Sequence, residues 1–523
     1  MESSIMESSI MESSIMESSI MESSIMESGI HWLDLPFEIW EMIFSNLDNM
    51  TLLKTSATCK KFNDWLSLSQ HLMKKFRLRI GKRILYHSGF KNELDKENAY
   101  LKSICELKLT KECLQMSERK YYSIRICALH KFVPENDIII DIIIDILKQF
   151  AGSVKQIIFY NATLQDDVFY KILQIMRNLK VLRFEGLLGD YIIDQSKDNA
   201  EIVWPDVVPS INEIHFKHVD RFSFQKLCLF NNLTTLNVNG WRKIGTLEHF
   251  LLMQKNLKVL HLKTLFMFES DLLTNNIKFS LEELTLNGIS WRDNQSAMKF
   301  FKTQNNLKKV TLNIESFYKS YPHGEMCFNE LITHLLGYNL QLKTAKLSTH
   351  GYYGFKITDL NFLEGIVNPS VENLELELDS SQNATTFISA LIKLFPNVKN
   401  FTYKVINEVD HGLDLIHNWK SLESIDCYTV DINQFFENVN IGEKLTTCTI
   451  RRYKDDINKP IIMEFLTRHQ NIKHMTLNSY YETIIPDEII SIITNTLKSF
   501  KKLICGVECF MIYERFLKFA NLL

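Results

Sequence analysis

The sequence predicts an α/β solenoid preceded by a small all-α module. Three observations predict it. The chain has 523 residues, too many for one ordinary compact core, so it is either several domains or one extended array. From about residue 120 an apolar triplet at positions 1, 4 and 6 returns about fifteen times, at intervals of 22 to 35 residues. Residues 33–66 have a different texture: helical periodicity, with apolar side chains on more than one face.

Composition narrows the function classes first. At 46% hydrophobic and 23% charged, the chain is an ordinary folded protein. A formal net charge of −3 gives no basic excess that points to nucleic acid and no acidic excess that points to disorder throughout. Ten cysteines (Cys59, Cys105, Cys113, Cys127, Cys228, Cys327, Cys427, Cys448, Cys505 and Cys509) are scattered without C-x-x-C spacing. That gives no support to a zinc or redox site and fits a reducing compartment, cytoplasmic or nuclear. Cys505 and Cys509 are read as core positions one helical turn apart. No cofactor is expected, and no secretory signal is visible.

The opening segment repeats MESSI five times and then reads MESGI. A period of five aligns no stripe on a helix or a strand, so residues 1–30 are expected to be a disordered tail. Residues 31–75 form the helical module. Pro36 suits the first turn of a helix, and Asp48-Asn49 ends it. A second helix follows, with Thr51 as N-cap, Leu52, Leu53, Ala57, Phe62 and Trp65 buried, and Lys54, Lys60 and Lys61 outward. The first helix has more apolar surface than so small a unit can cover. The extra face either packs on the first repeat or awaits a partner.

Residues 76–119 read as a linker or N-terminal cap, and residues 120–523 as the solenoid with its C-terminal cap. The basic run Lys74, Lys75, Arg77, Arg79, Lys82 and Arg83 reads as a solvated linker or helix face, with an import signal or an anionic contact as the alternative. The most apolar stretch, DIIIDIIIDILKQF from Asp137, is too short to span a bilayer. Asp137, Asp141 and Asp145 share one helical face, which leaves the isoleucines for burial, so an amphipathic helix is predicted there. No membrane contact is expected.

The repeated triplet is clearest in NLKVLRF and NLKVLHL, where Leu179/Leu182/Phe184 and Leu257/Leu260/Leu262 fall on it. It begins at Tyr121/Ile124/Ile126 and ends at Phe500/Leu503/Cys505. One such unit cannot bury its apolar face, whereas stacked neighbours bury it for one another. The run resembles the leucine-rich-repeat family. That resemblance implies an irregular horseshoe with parallel strands inside and helices outside. The family usually has Asn or Cys at position 9, and here it is Leu187, Val219, Trp241, Leu265, Ile289 or Val430. The polar ladder is missing there, so the turns must satisfy their backbone groups otherwise. Insertions around Trp204-Pro205 and Tyr321-Pro322-His323-Gly324 are natural places for specific contacts.

Residues 33–66, LDLPFEIWEMIFSNLDNMTLLKTSATCKKFNDWL, closely resemble the F-box. By that resemblance Leu35, Pro36, Ile39, Ile43, Phe44 and Leu47 dock, or support docking of, a Skp1-like adaptor. Leu52, Leu53, Cys59 and Lys60 match the second part of the motif. Thr51 and Thr58 depart from it without removing an anchor. The combination is similar to substrate receptors of cullin–RING ubiquitin ligases, with the solenoid holding a protein target. The alternative is a scaffold, or an adaptor-sequestering protein, without ligase function. Catalytic motifs such as H-E-x-x-H, the phosphate-cradling G-x-x-x-x-G-K or G-x-S-x-G are absent from the sequence, which agrees with a non-enzymatic role.

In a leucine-rich strand, positions 3, 5 and 7 face the concave side. Those positions yield the candidate target contacts Arg183, His215, Lys217, His261, Lys263, Lys309, Glu375, Glu377, Asp426 and Arg451, with Glu185 at one end. Tyr428 and Tyr453 are candidate aromatic anchors. The charge runs mixed, basic, acidic and basic along the array, which would steer a complementary partner.

Overall fold

A computed structural model describes residues 35–81, 93–117, 119–127, 137–161, 166–186, 211–217, 230–239, 247–268, 279–291, 299–313, 332–348, 363–378, 384–405, 412–428, 431–453, 456–479, 485–497 and 499–507. The MESSI segment, both insertions and Cys509 lie outside these residues. The chain divides into two compact units. The first runs to Phe159 and adds Asp167–Leu179 and Pro205–Pro209; the second holds the rest.

The first unit opens with four helices: α1 Phe37–Ser45, α2 Asn49–Thr58, α3 Lys60–Leu68 and α4 Gln70–Met73. Strand β1 (Arg77–Ile80), helix α5 (Glu93–Gln115), strand β2 (Ser123–Cys127), helix α6 (Asp137–Phe150) and strand β3 (Gln156–Tyr160) follow. Helix α6 is the helix expected over DIIIDIIIDILKQF. Asp141 and Asp145 are exposed, while Ile142, Ile143, Ile144, Ile146 and Leu147 are buried. Only Ile138, at its first turn, stays open. Helix α7 (Asp166–Ile175) carries the chain into the second unit.

The second unit contains β4 Val181–Glu185, β5 Glu213–Lys217, β6 Thr235–Asn239, β7 Val259–Phe268, β8 Glu283–Trp291 and β9 Lys309–Asn313. It continues with β10 Thr344–Ser348, β11 Asn373–Leu378, β12 Asn400–Val405 and β13 Ser424–Tyr428. The last strands are β14 Thr447–Tyr453, β15 His474–Ser479 and β16 Lys502–Val507. Return segments vary as expected. They include an α-helix at Ala384–Leu394, a π-helical turn at Thr333–Tyr338 and a 3-10 turn at Leu413–Asn418. The sixteen strands stand in chain order.

Register follows the predicted triplet. Leu182 pairs with Ile214, that with Leu236, then Leu260, Leu284 and Val310, each at position 4. Position 6 forms a parallel row, and both rows are buried from β4 to β15. Each strand thus buries alternate side chains against the return segments and leaves positions 3, 5 and 7 on the open face. Complete burial of one such leucine is worth about 2–3 kcal/mol.

Three sequence expectations change. The sheet begins at Arg77, inside the segment read as linker and cap. β1 pairs with β2 in the same register, Leu78 with Ile124 and Ile80 with Ile126. The triplet was not visible there because position 1 is Lys75, not an apolar residue. The helix expected around Cys505 is strand β16. The predicted second helix is two helices, because Cys59 is extended (φ −152°, ψ 157°) between α2 and α3.

The missing position-9 ladder is replaced at the strand entry. The Lys180 carbonyl accepts from the amides of Asn212 and Glu213 at 3.0 and 3.2 Å. The same fork recurs at Asn212, Thr234, Lys258, Glu282, Lys308, Lys343, Glu372, Lys399, Glu423, Thr446 and Lys473. The residue just before position 1 adds a side-chain tie to the preceding repeat. Asn178 Nδ2 donates to the Gly152 carbonyl (3.1 Å), Asn397 Nδ2 to that of Pro369 (3.0 Å) and Asn471 Nδ2 to that of Glu443 (2.8 Å). At Leu265 and Ile289 the chain stays extended within β7 and β8, so there is no tight turn at position 9 to satisfy.

Candidate protein-docking surfaces

The helical module is built on an aromatic cluster. Trp40 and Phe44 of α1 meet Phe62 and Trp65 of α3, with Trp40–Phe62 centroids 4.9 Å apart and Phe44–Phe62 edge-to-face at 5.4 Å. Leu52, Leu66, Leu72, Met73 and Phe76 close the core. Helix α2 is capped by Asp48, not Thr51. Asp48 Oδ1 accepts from the amides of Met50 (2.8 Å) and Thr51 (3.0 Å), and the Thr51 hydroxyl donates to Oδ2 (2.6 Å). That hydroxyl, and then the two amides, hold the Asp48 carboxyl below its ordinary range.

Helix α1 carries two apolar stripes. Trp40, Phe44 and Leu47 point into the core. Ile39, Met42 and Ile43 point out and are 38%, 60% and 38% exposed. Met50 (64%) and Leu53 (40%) of α2 are also exposed. The first repeats pack elsewhere on the module. Tyr121 and Tyr122 lie against its core, Arg119 donates to Ser56 Oγ (3.2 Å) and Asn63 Oδ1 (2.5 Å), and Lys75 Nζ donates to the carbonyls of Ser45 (2.6 Å) and Leu47 (3.3 Å). So the extra face is not spent on the first repeat.

The ten motif residues fall into distinct environments. Pro36, Ile39, Ile43, Leu53 and Lys60 are exposed, and Leu35, Leu47 and Cys59 are half-buried. Phe44 and Leu52 are 1% and 0% exposed, so they can support a docking surface but cannot touch a partner. Ala57 is exposed, not buried as expected. Met42 and Met50 were absent from the motif reading. Their spacing from Ile39 and Leu53, one helical turn, is the signal that finds them.

On the open face of the repeat sheet, the predicted acidic block proves to be internally neutralised. Lys346 Nζ lies 2.7 Å from Glu375 Oε1 and 3.6 Å from Glu377 Oε2, and Lys404 Nζ lies 2.6 Å from Glu375 Oε1. Arg451 grips Asp426 with two parallel bonds, 2.9 and 3.2 Å. Burial opposes charge at Glu375 and Lys404, yet their mutual bonds prevail: the Glu375 carboxyl is held below its ordinary range and the Lys404 amine above. Tyr428 is flanked by Lys404 (5.1 Å), Arg451 (5.5 Å) and Arg452 (5.6 Å). Tyr453 is not an open anchor. Arg452 takes φ +62° at a register shift in β14, which turns the Tyr453 ring inward to 3% exposure. Its hydroxyl is buried without a hydrogen-bond partner, and burial pushes the phenol up to about 12.

The strands β4–β9 differ. His215 Nε2 sits 3.4 Å from Glu213, and Glu283 sits 3.3 Å from Lys309 and 4.0 Å from His261. Burial, and then the neighbouring Arg183 or Lys263, lowers the pKa of His215 and His261. Lys217 and Lys263 are exposed.

Comparison with known proteins agrees with the geometry of the module: the F-box domain family matches residues 32–71. The chain carries an F-box domain followed by a long parallel-strand repeat fold. F-box and leucine-rich-repeat modules are in general non-catalytic interaction modules. Three solved structures overlap at low similarity. A TLR13–ssRNA13 complex has a TM-score of 0.34 and 12% identity, over 74% of this chain and 57% of that one. An internalin of Listeria monocytogenes has 0.33 and 13%, over 69% and 88%. A leucine-rich-repeat protein of Leptospira interrogans has 0.27 and 11%, over 68% and 91%. The repeat fold rests on this chain's own strand order and register, not on those overlaps. No curated protein matches the chain. Among the described residues, no helix is long and apolar enough to cross a membrane.

Proposed function

We propose that this chain is the substrate-recognition subunit of a Skp1–cullin–F-box ubiquitin ligase. Its F-box docks a Skp1-like adaptor, and its repeat sheet holds the protein to be ubiquitinated. The observation that carries the adaptor reading is the open apolar face of Ile39, Met42, Ile43, Met50 and Leu53, on a module whose other side is already packed. An apolar patch of that kind on so small a helical unit favours a protein partner. The chain itself does no covalent chemistry. It raises the effective concentration of target lysines near a ubiquitin-conjugating enzyme.

The test is affinity capture with the proteasome blocked, comparing the wild type with Pro36→Ala/Ile39→Ala. Both side chains are exposed, so folding stability should change by no more than about 0.5 kcal/mol. Adaptor capture should fall at least tenfold while client capture persists. Undiminished adaptor would refute the docking assignment. Client levels that ignore both proteasome and cullin inhibition would sink the ligase role and leave a docking scaffold.

A further inference from the structure

Positions 5 and 7 of β5–β9 hold no carboxylate. They read His215 and Lys217, Asn237 and Asn239, His261 and Lys263, then Thr285, Asn287, Thr311 and Asn313, in continuous register. Among the described residues Lys217 and Lys263 have no ion-pair partner, and both are exposed. One strand separates them, a spacing of about 10 Å across the sheet. Within β5–β9 the carboxylates, Glu213 and Glu283, stand at position 3 and are already engaged by His215 and by Lys309, while Glu185, at position 7 of β4, stands in register beside Lys217. Further along the sheet, Glu375 and Asp426 are paired within the chain. On this part of the open face Lys217 and Lys263, with Arg183 on the adjoining β4, are cations without an ion pair among the described residues, and they stand beside a floor of amide and hydroxyl donors.

We propose that this stretch is the docking site for an acidic segment of a partner protein, whose carboxylates are held by Lys217 and Lys263 and seated on Asn237 and Asn239 between them. The proposal rests on the reading that the repeat sheet is the client-holding part of the chain. Two lysines and neutral amides suit spaced carboxylates. A nucleic-acid backbone needs a longer series of cations than this face offers, and the whole chain is net negative. Complementary charge here sets orientation and encounter rate as well as affinity.

The probe is a labelled twelve-residue peptide alternating Glu and Gly, titrated by anisotropy into the full chain. A Gln/Gly counterpart and a single-stranded RNA of equal length serve as comparisons. Expected results are saturable binding of the Glu peptide, weakening as salt rises, and at least tenfold loss in Lys217→Glu/Lys263→Glu. Lys217→Gln/Lys263→Gln should lose less, and Lys255→Glu/Lys302→Glu, on the return segments, should bind as wild type. Circular dichroism and adaptor capture on the same preparations check folding and the F-box reading independently. Equal binding of the Gln peptide, or binding insensitive to both Lys217/Lys263 variants, overturns the proposal. RNA that binds more tightly and with the same sensitivity replaces the partner class and also overturns it.

Discussion

At the scale of single residues, buried polar side chains three places before position 1 tie one repeat to the previous one. Gln254 Oε1 accepts from the Leu233 amide (3.2 Å), Gln304 Oε1 from that of Leu281 (2.9 Å), and His469 Nε2 from that of Ile441 (3.0 Å). His469 can accept only while neutral, with its other nitrogen donating to the Phe465 carbonyl at 2.8 Å. Burial, ahead of nearby Arg468, lowers its pKa from the ordinary 6.5. The unfolded chain therefore takes up the proton first. Stability is complete above about pH 6.5 and declines as pH falls through that value toward the folded pKa. His215, His261 and His334 add to the decline in the same direction. In His469→Gln the amide oxygen should accept as Gln254 and Gln304 do, so urea titrations at pH 5 and pH 7.5 should differ less than for wild type. A variant as acid-sensitive as the parent would remove His469 from this account. Tyr453 makes the opposite case. Its hydroxyl is buried without a partner, so Tyr453→Phe should be neutral or stabilising by about 1 kcal/mol, measured as melting temperature. A clear loss would mean that the hydroxyl is satisfied.

At the scale of elements, strands were more legible than turns or helix ends. The triplet located β2–β16 because positions 4 and 6 must be apolar wherever a neighbour stacks on both sides. β1 escaped because Lys75 replaces the apolar residue at position 1 and spends its charge on two carbonyls at the end of α1. The break at Cys59 escaped because no Gly or Pro marks it. On the open face, position identified the side chains correctly but not their pairings, since Lys346 and Lys404 both act on Glu375, a neighbour 29 residues away in sequence from each. In the F-box, periodicity showed two apolar stripes without deciding which was covered; the packing of Tyr121 and Tyr122 decides it. The exit of β1 yields an element-scale prediction. Gly81 follows β1 with φ +82°, and a Cβ there would lie 2.6 Å from the Cys127 carbonyl oxygen. Gly81→Ala should therefore cost more than about 1 kcal/mol and loosen β1 first. Hydrogen exchange should report it in residues 77–80 and 123–127 before the strands of the second unit. Uniform loss of protection would contradict a local origin.

At the scale of the whole molecule, the array is specified by spacing more than by the identity of any one repeat. Leu257 and Leu281 both occupy position 1, and residues 257–280 are one full period of 24 residues (281 − 257). Removing that period joins Asn256 to Leu281 and restores a reading of N-L-E-E-L-T-L. Strand β6 would then face β8 with Leu236 opposite Leu284 and Val238 opposite Leu286, so both buried rows survive. Glu282 loses Lys258 and keeps Lys308, a modest change for an exposed pair. The shortened chain should fold, lose some stability because one stacking interface is gone, and still capture the adaptor through its F-box. It should also lose the acidic probe, because Lys263 leaves with the period. Removing only residues 257–268 takes away β7 but leaves residues 269–280, so 36 residues (281 − 233 − 12) separate Leu233 from Leu281, longer than any natural interval, and two inter-strand segments must pack behind one strand. That variant should expose hydrophobic surface and be degraded by chymotrypsin far faster than the 24-residue deletion. Equal protease resistance of the two deletions would show that register does not govern this array, and equal collapse would show that the repeats are not interchangeable units.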